Sequence, residues 1–240
     1  MLKEAIQHIQ ETTQPLHAAI KGHDYIIGRD GVAREILPEL FHAATLQLNS
    51  LDALVKLIAT EASLGKPTLY VTIPDHLTVR CFGHPNQEER GFRQVYYEAK
   101  ATDVPGWGEN VKLPFEEMQI ALRTRFQETK DTPYVQKLLS DISTGAKITY
   151  NDNGVATTIV TSKGVALQGS ETIRPIVTLR PYRTFQEVDQ PESTFLIRVN
   201  ERGISFTEAD GGMWKLKARE TVKAFLEERL AELENVIVAL

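Results

Sequence analysis

Apolar residues recur every three to four positions in five stretches of the chain, and this spacing predicts amphipathic helices. Ser50 precedes one of these stretches as an expected N-cap, and Pro114 opens another at a position favoured in the first helical turn. We predict helices over about the first dozen residues and over residues 50–65, 114–126, 133–142 and 214–233.

Elsewhere apolar and polar residues alternate, which is the period of a half-buried strand. Asn151-Asp152-Asn153-Gly154 predicts a hairpin turn within residues 147–167, because Asn and Gly tolerate the positive φ of tight turns. A second hairpin is predicted around residues 23–36. Further strands are predicted at residues 67–73, 77–82, 92–100, 173–179, 184–188, 194–199, 204–208 and 236–240.

This order of elements predicts an α+β fold. Residues 1–143 are expected to form a mixed α/β part, and residues 144–240 an antiparallel sheet covered by the C-terminal helix. The two parts are either separate domains or one continuous domain. The apolar strand at residues 236–240 needs a neighbour in the sheet or in a second subunit, so we expect a homo-oligomer.

The composition is that of a folded globular protein, with 42% hydrophobic and 25% charged residues in 240. The net charge of −5 disfavours binding to duplex nucleic acid or to an anionic membrane surface. Cys81 is the single cysteine, so no internal disulfide is expected. Without a signal-like leader or a run of ~20 apolar residues, the expected compartment is the cytoplasm.

The stretch between Leu179 and Trp214 concentrates arginines, aromatic residues and acids. If neighbouring strands bring the guanidinium groups together, their planar donor forks suit phosphate binding, and aromatic faces can stack on bases. Alternatively, each arginine forms an ion pair with Glu187, Asp189, Glu192 or Asp210. The candidate ligand-binding residues are Arg174, Arg180, Tyr182, Arg183, Thr184, Arg198, Asp210 and Trp214.

Asp210 has two interpretations, because it precedes two glycines and the last predicted helix. The free backbone N–H groups of Gly211 and Gly212 can bind an anion at the start of the helix. Alternatively, the Asp210 side chain caps the helix and occupies those N–H groups. Capping is the favoured interpretation, with Trp214 as a core residue that anchors the helix.

Two motifs in this stretch resemble a known family: LRPYRTFQEVDQPESTFLIRV, at residues 179–199, and EADGGMWKLKA, at residues 208–218. Both are similar to segments of the uncharacterised phage and prophage proteins grouped as YfdQ-like. The similarity extends through SLDALVKLI, FEEMQIALRTRFQET and NDNGVATTIVTSKGV. The resemblance implies a phage or prophage origin and expression inside a bacterial host. It implies no activity and assigns no catalytic residue.

One pattern indicates catalysis. Asp75 follows Pro74 between two predicted strands, and Glu98 and Lys100 end a third, which is the order of a PD…ExK nuclease site. There the two carboxylates would hold Mg²⁺ and the lysine would activate water. The chain has no phosphate-binding loop or dinucleotide fingerprint. The His and Cys residues around Cys81 fit no standard zinc spacing, so neither a metal nor a cofactor is expected.

The leading interpretation is a phage-encoded, non-enzymatic binding protein in the cytoplasm of the bacterial host. A specific form of it is an anti-defence sponge that sequesters a nucleotide immune signal, with a nucleotide-type small molecule as the partner. The alternatives are a phage replication or virion accessory protein and, less favoured, the metal-dependent nuclease.

Overall fold

The computed structural model describes residues 2–6, 16–28, 30–36, 42–65, 67–86, 91–144, 147–152, 157–163, 166–200 and 203–240. The chain divides into two compact units. The smaller unit is Met1–Ala43 with Pro85–Phe92, and the larger unit is Ala44–His84 with Arg93–Leu240.

The smaller unit contains a short helix, α1 (residues 2–6), and a three-stranded antiparallel sheet in the order β1-β2-β3. The strands are β1 Leu16–Ile20, β2 His23–Ile27 and β3 Ala33–Ile36. The predicted hairpin is confirmed in the pairing of β2 with β3. Its turn is closed by a hydrogen bond of 3.1 Å from the Gly28 N–H to the Val32 carbonyl.

The larger unit contains thirteen strands and four helices among its described residues. They are β4 Leu46–Leu48, α2 Leu51–Ser63, β5 Leu69–Asp75, β6 Thr78–Phe82, β7 Val95–Lys100, β8 Asn110–Leu113, α3 Phe115–Thr124, β9 Phe126–Gln127, α4 Thr132–Thr144, β10 Lys147–Asp152, β11 Thr157–Lys163, β12 Ala166–Thr172, β13 Ile176–Pro181, β14 Ser193–Asn200, β15 Gly203–Glu208, α5 Met213–Arg229 and β16 Val236–Ala239.

A mixed sheet in the order β16-β5-β6-β7-β4 supports the first core of this unit. The pairs of β6 with β5 and with β7 are antiparallel, whereas the two outer pairs are parallel. Buried residues of β5 alternate with more exposed ones, and they pack with the apolar faces of α2 and α5. The predicted cap of α2 is confirmed, because Ser50 Oγ accepts a hydrogen bond of 3.3 Å from the Ala53 N–H.

An antiparallel sheet in the order β8-β15-β14-β13-β9 supports the second core, on which α3 and α4 pack. Phe195, Ile197 and Val199 are its inward residues in β14. Gly203 begins β15 with φ +140°, where any Cβ atom would overlap the Leu113 carbonyl oxygen of β8. The close pairing of these two strands therefore requires glycine at that position.

The α+β class is confirmed, but the C-terminal helix packs elsewhere than expected. Its buried residues, including Val222 and Leu226, belong to the core of the mixed sheet. The closing strand is confirmed as β16, which pairs in parallel with β5 of the same chain and lies at the edge of that sheet. A homo-oligomer stays a prediction.

The predicted strand at residues 184–188 is wrong, because residues 182–192 form an irregular segment. The buried Gln190 side chain replaces a strand partner for this segment. Its Oε1 atom accepts hydrogen bonds from the backbone N–H groups of Arg183 (2.8 Å) and Thr184 (3.1 Å). Its Nε2 atom donates to the carbonyls of Phe185 (2.8 Å) and Val188 (3.2 Å).

The strands β10, β11 and β12 form a third sheet of this unit, antiparallel and in that order. The hairpin expected there is confirmed in the pairing of β10 with β11, although Asn153 and Gly154 of its turn lie outside the described residues. Both five-stranded sheets combine strands from before and after residue 143. The division into two parts at residue 143 stays a prediction. No described helix is long and apolar enough to cross a membrane.

Candidate ligand-binding site

Arg183 is the centre of a buried polar network between the two five-stranded sheets. Its side chain is 1% exposed, and its Nη2 atom forms an ion pair with Glu208 Oε1. Its Nη1 atom donates a hydrogen bond of 3.3 Å to Ser193 Oγ. The guanidinium carbon lies 4.4 Å from the centre of the Trp214 ring, a cation–π distance.

Trp214 supplies the second partner of the Glu208 carboxylate. Its Nε1 atom donates to Glu208 Oε2 over 3.1 Å, so each carboxylate oxygen has a partner. Burial lowers the pKa of Arg183, and the nearby charge of Glu208 opposes that shift. Arg183 Nε has no hydrogen-bond partner among the described residues. The network is thus an ion pair held almost entirely away from water.

A cleft of about 460 Å³ lies against this network, and we call it the Lys215 cleft. Its lining includes His76, Trp107, Arg183, Trp214 and Lys215. Lys215 is half-exposed, and its closest acid, Glu109, lies 3.7 Å away with a largely exposed side chain. The cleft therefore presents a cation whose charge is only weakly compensated.

His76 contributes a ring to the same cleft. The ring meets Trp214 edge-on, with 4.7 Å between centroids. Burial lowers the pKa of His76, Asp75 opposes the shift, and the positive charges of Lys215 and Arg183 add to it. Near neutral pH the imidazole is therefore uncharged, and it can accept or donate a hydrogen bond.

A second concavity of about 480 Å³ lies beside α3, and we call it the α3 hollow. Val111, Leu113 and Ile120 supply apolar walls, and Arg125 lies at its margin. Ile120 is 58% exposed although it is a large aliphatic residue. The α3 hollow thus combines an accessible apolar surface with one guanidinium group.

Four of the predicted site residues come together at the Lys215 cleft, two as lining and two as supports. Arg183 and Trp214 line it. Thr184 Oγ1 donates to the His76 carbonyl over 2.6 Å and so fixes the turn that carries the imidazole. Asp210 Oδ1 accepts from the Gly212 N–H over 3.0 Å at the entrance to α5. Gly212 is the N-cap residue of α5 and no side chain caps this helix, so the predicted Asp210 cap is wrong, although Asp210 does occupy the Gly212 N–H.

The other predicted arginines do not line this cleft. Arg174 forms an ion pair with Asp131 at 3.3 Å and stacks on the Tyr134 ring at 3.9 Å. Arg180 pairs with Glu192 at 2.8 Å, in line with the strand register of β13 and β14. Arg198 lies on β14, six residues beyond Glu192, the partner of Arg180. Six residues of strand correspond to ~20 Å at about 3.3 Å per residue.

Tyr182, the remaining candidate, is half-buried, and its backbone N–H donates to the Arg125 carbonyl over 2.9 Å. The described contacts place its backbone next to the end of α3 and show no side-chain bond to the cleft. Arg202, another arginine of this stretch, lies outside the described residues. The arginines therefore do not converge on one point. Three of them have acidic partners, but only the Arg180–Glu192 pair uses an acid that the ion-pair alternative named.

The nuclease pattern has a geometry that favours ion pairing. Glu98 Oε2 meets Arg80 Nε at 2.5 Å, and Glu98 Oε1 meets Lys100 Nζ at 2.8 Å. These hydrogen bonds, with Lys100 first, lower the pKa of Glu98. Asp75 lies on β5, separated from Glu98 by the whole of β6, and its Oδ1 accepts from the Leu77 N–H at 2.7 Å. Among the described residues, no group of three or more His, Cys, Asp or Glu side chains could hold a metal ion.

Sequence reasoning missed four residues of the site: His76, Glu208, Lys215 and the cleft-lining role of Trp107. Glu208 carries a usable signal, because it has the same strand parity as the buried residues Ile204 and Phe206. A carboxylate at an inward position requires a cation, and this requirement points to Arg183. The other three lie on two loops and at the start of α5, and only the folded chain brings them together.

Comparison with known proteins does not add to this geometry. A scan against protein-family models and searches of curated proteins and of solved structures give no match for this chain. The resemblance to YfdQ-like proteins stays an expectation based on the quoted motifs.

Proposed function

We propose that this protein is a non-enzymatic binding protein that holds a small anionic ligand of nucleotide type in the Lys215 cleft. One observation carries the proposal. Arg183 and Trp214, two of the residues that the sequence singles out, line the same cleft, together with Lys215 and His76. A cation suits a phosphate group, and an aromatic ring suits a base.

The volume and chemistry of the cleft support this ligand class. At about 460 Å³ it falls within the ~300–1,000 Å³ range of small-molecule sites. Lys215 is half-exposed and can meet a phosphate without first being freed from a buried pair. Arg183 stays paired with Glu208, so this ion pair is close to neutral and the positive charge available to a phosphate is that of Lys215. The exposed Glu109 carboxylate can accept hydrogen bonds from the N–H groups of a base.

The proposed biological role is sequestration of a nucleotide immune signal in the cytoplasm of a bacterial host by a phage-encoded sponge. It rests on the expected phage origin and on the site. Such a sponge needs only tight stoichiometric binding, and this role assigns no catalytic step to any residue. The roles of replication or virion accessory protein and of nuclease stay expectations from the sequence, because no contact in the cleft favours them.

Isothermal titration calorimetry with and without Lys215 tests the proposal. The wild-type protein is titrated with mononucleotides, cyclic oligonucleotides and ADP-ribose-derived signals. Lys215→Ala should weaken binding of the best ligand about tenfold or more, because a charge-assisted hydrogen bond contributes ~1.5–3 kcal/mol.

Lys217→Ala provides the matched control. Lys217 is an exposed lysine of the same helix that does not line the cleft. The control should bind like the wild type. An absence of heat with every ligand, or equal losses in the two variants, would contradict the proposal.

A further inference from the structure

The Lys215 cleft and the α3 hollow share one wall. Gly106, Trp107 and Gly108 line both of them. The Trp107 ring is nine-tenths buried and packs edge-on against Phe126, with 4.7 Å between centroids. A ligand at this wall therefore has a concavity available on either side of a fixed aromatic residue.

The α3 hollow carries its own means of recognition. Arg125 is exposed at its margin, and its guanidinium forms no ion pair among the described residues. Trp107 Nε1 is a buried donor that lacks a hydrogen-bond partner within the described part of the chain. Val111, Leu113 and Ile120 add the apolar surface on which a planar ring can lie. The hollow thus offers an apolar surface that can hold a ring, and beside it the Arg125 cation that can meet a phosphate.

We propose that the cleft and the hollow form one bipartite site for a ligand that contains two linked nucleotide units. This inference rests on the proposed function of the Lys215 cleft. One phosphate meets Lys215 and His76 in the cleft, and the second meets Arg125 at the hollow. The second base lies against the apolar wall of the hollow, and the linkage passes over the Gly106–Gly108 segment.

The paired volumes and the separated cations argue for two units rather than one. Each concavity, at about 460 and 480 Å³, is large enough for a small ligand by itself. A mononucleotide can occupy only one of them and meets only one exposed cation. A linked ligand gains the second set of contacts without a second loss of translational freedom, so its affinity rises well above that of either half.

The experiment compares one- and two-unit ligands on four proteins. The probes are the 5′-mononucleotides of adenine, guanine, cytosine and uracil and the corresponding cyclic dinucleotides, titrated by calorimetry. The proteins are wild type, Lys215→Ala, Arg125→Ala and Arg123→Ala. Arg123 is an exposed arginine of α3 outside the lining of either concavity, so it is the matched control. Circular dichroism melts establish that Arg125→Ala folds, since it alters only an exposed side chain.

The expected result is a cyclic dinucleotide that binds the wild type 1:1 and at least about tenfold more tightly than its mononucleotide. Arg125→Ala should remove most of that advantage, whereas Lys215→Ala should weaken the binding of both mononucleotide and dinucleotide. Arg123→Ala should change neither.

Two other outcomes have distinct meanings. If mononucleotide and dinucleotide bind equally and Arg125→Ala has no effect, the bipartite site is wrong and the Lys215 cleft stands as a single site. If no probe binds the wild type, both the bipartite site and the proposed nucleotide ligand are overturned.

Discussion

Two buried carboxylates, Glu208 beside the Lys215 cleft and Glu98 on the mixed sheet, are held by cations in different ways. Glu208 is paired with Arg183, whose side chain is only 1% exposed. Glu98 is equally inaccessible, but its partners Arg80 and Lys100 have side chains that are 43% and 50% exposed. Both partners of the Arg183–Glu208 pair are buried, and we call it the dry pair. The cations that hold Glu98 are exposed to solvent, and we call these pairs screened.

Strand parity explains the difference. Glu208 follows the inward residues of β15, so its carboxylate needs a cation that is itself buried. Glu98 lies on the face of β7 opposite Tyr97 and Ala99, where long side chains reach water while they cover the carboxylate. Loss of either partner of the Arg183–Glu208 pair leaves a buried charge without its counterion. This pair also lies at the wall of the Lys215 cleft. The ion pairs of Glu98 link neighbouring side chains of the mixed sheet, and solvent screens them through their exposed cations.

Removal of one partner from the dry pair should have the largest effect. Arg183→Ala leaves the Glu208 charge buried without its cation, and such changes cost ~3–5 kcal/mol in the free energy of unfolding. Urea unfolding followed by circular dichroism measures the loss. Arg183→Met combined with Glu208→Gln removes both charges and keeps an acceptor for Trp214, so it should regain most of that stability. A loss below about 1 kcal/mol for Arg183→Ala would show that the pair is not dry.

The screened pair should give a smaller effect that depends on pH. Glu98→Gln should cost ~1 kcal/mol at neutral pH, since the partner cations are half-exposed. The folded pKa of Glu98 is lowered from its ordinary value of 4.5, so the charged form contributes stability above that value. That contribution is lost as the pH falls through the folded pKa. Unfolding free energies of wild type and Glu98→Gln should therefore approach each other in an acid titration that runs from neutral pH to below the ordinary value of 4.5. A difference that is constant across this range would contradict the assignment.

Periodicity predicted most elements of the fold, because an amphipathic helix or strand carries its pattern in consecutive residues. The helix after Ser50, the strands β14 and β15, the C-terminal helix and β16 all follow such patterns. The segment 182–192 was not predictable in this way. Its sequence alternates like a strand, yet one side chain, Gln190, takes up the backbone groups that a neighbouring strand would use.

The site was predictable only in part, for a related reason. The density of arginine and tryptophan in one stretch led to Arg183 and Trp214, which do lie together. The same density gave no information on the strand register that separates Arg180 from Arg198, or on the loop that brings Trp107 to the cleft. Register and loop path depend on contacts between residues far apart in sequence, and local composition does not encode them.

The smallest effects are expected at the partly exposed Arg180 and the exposed Arg198. Arg180 and Glu192 form a pair with side chains 30% and 47% exposed, so Arg180→Ala should change the unfolding free energy by only ~0–1 kcal/mol. Arg198→Ala, on an exposed side chain, should change it by no more. Neither variant should alter ligand affinity, because neither residue lines the Lys215 cleft. Calorimetry with the best nucleotide ligand and urea unfolding measure the two quantities on the same samples. A tenfold loss of affinity in either variant would mean that the arginines do act together at one phosphate site. In that case the ligand would bind at the strand arginines, and the Lys215 cleft beside the dry pair would not be its site.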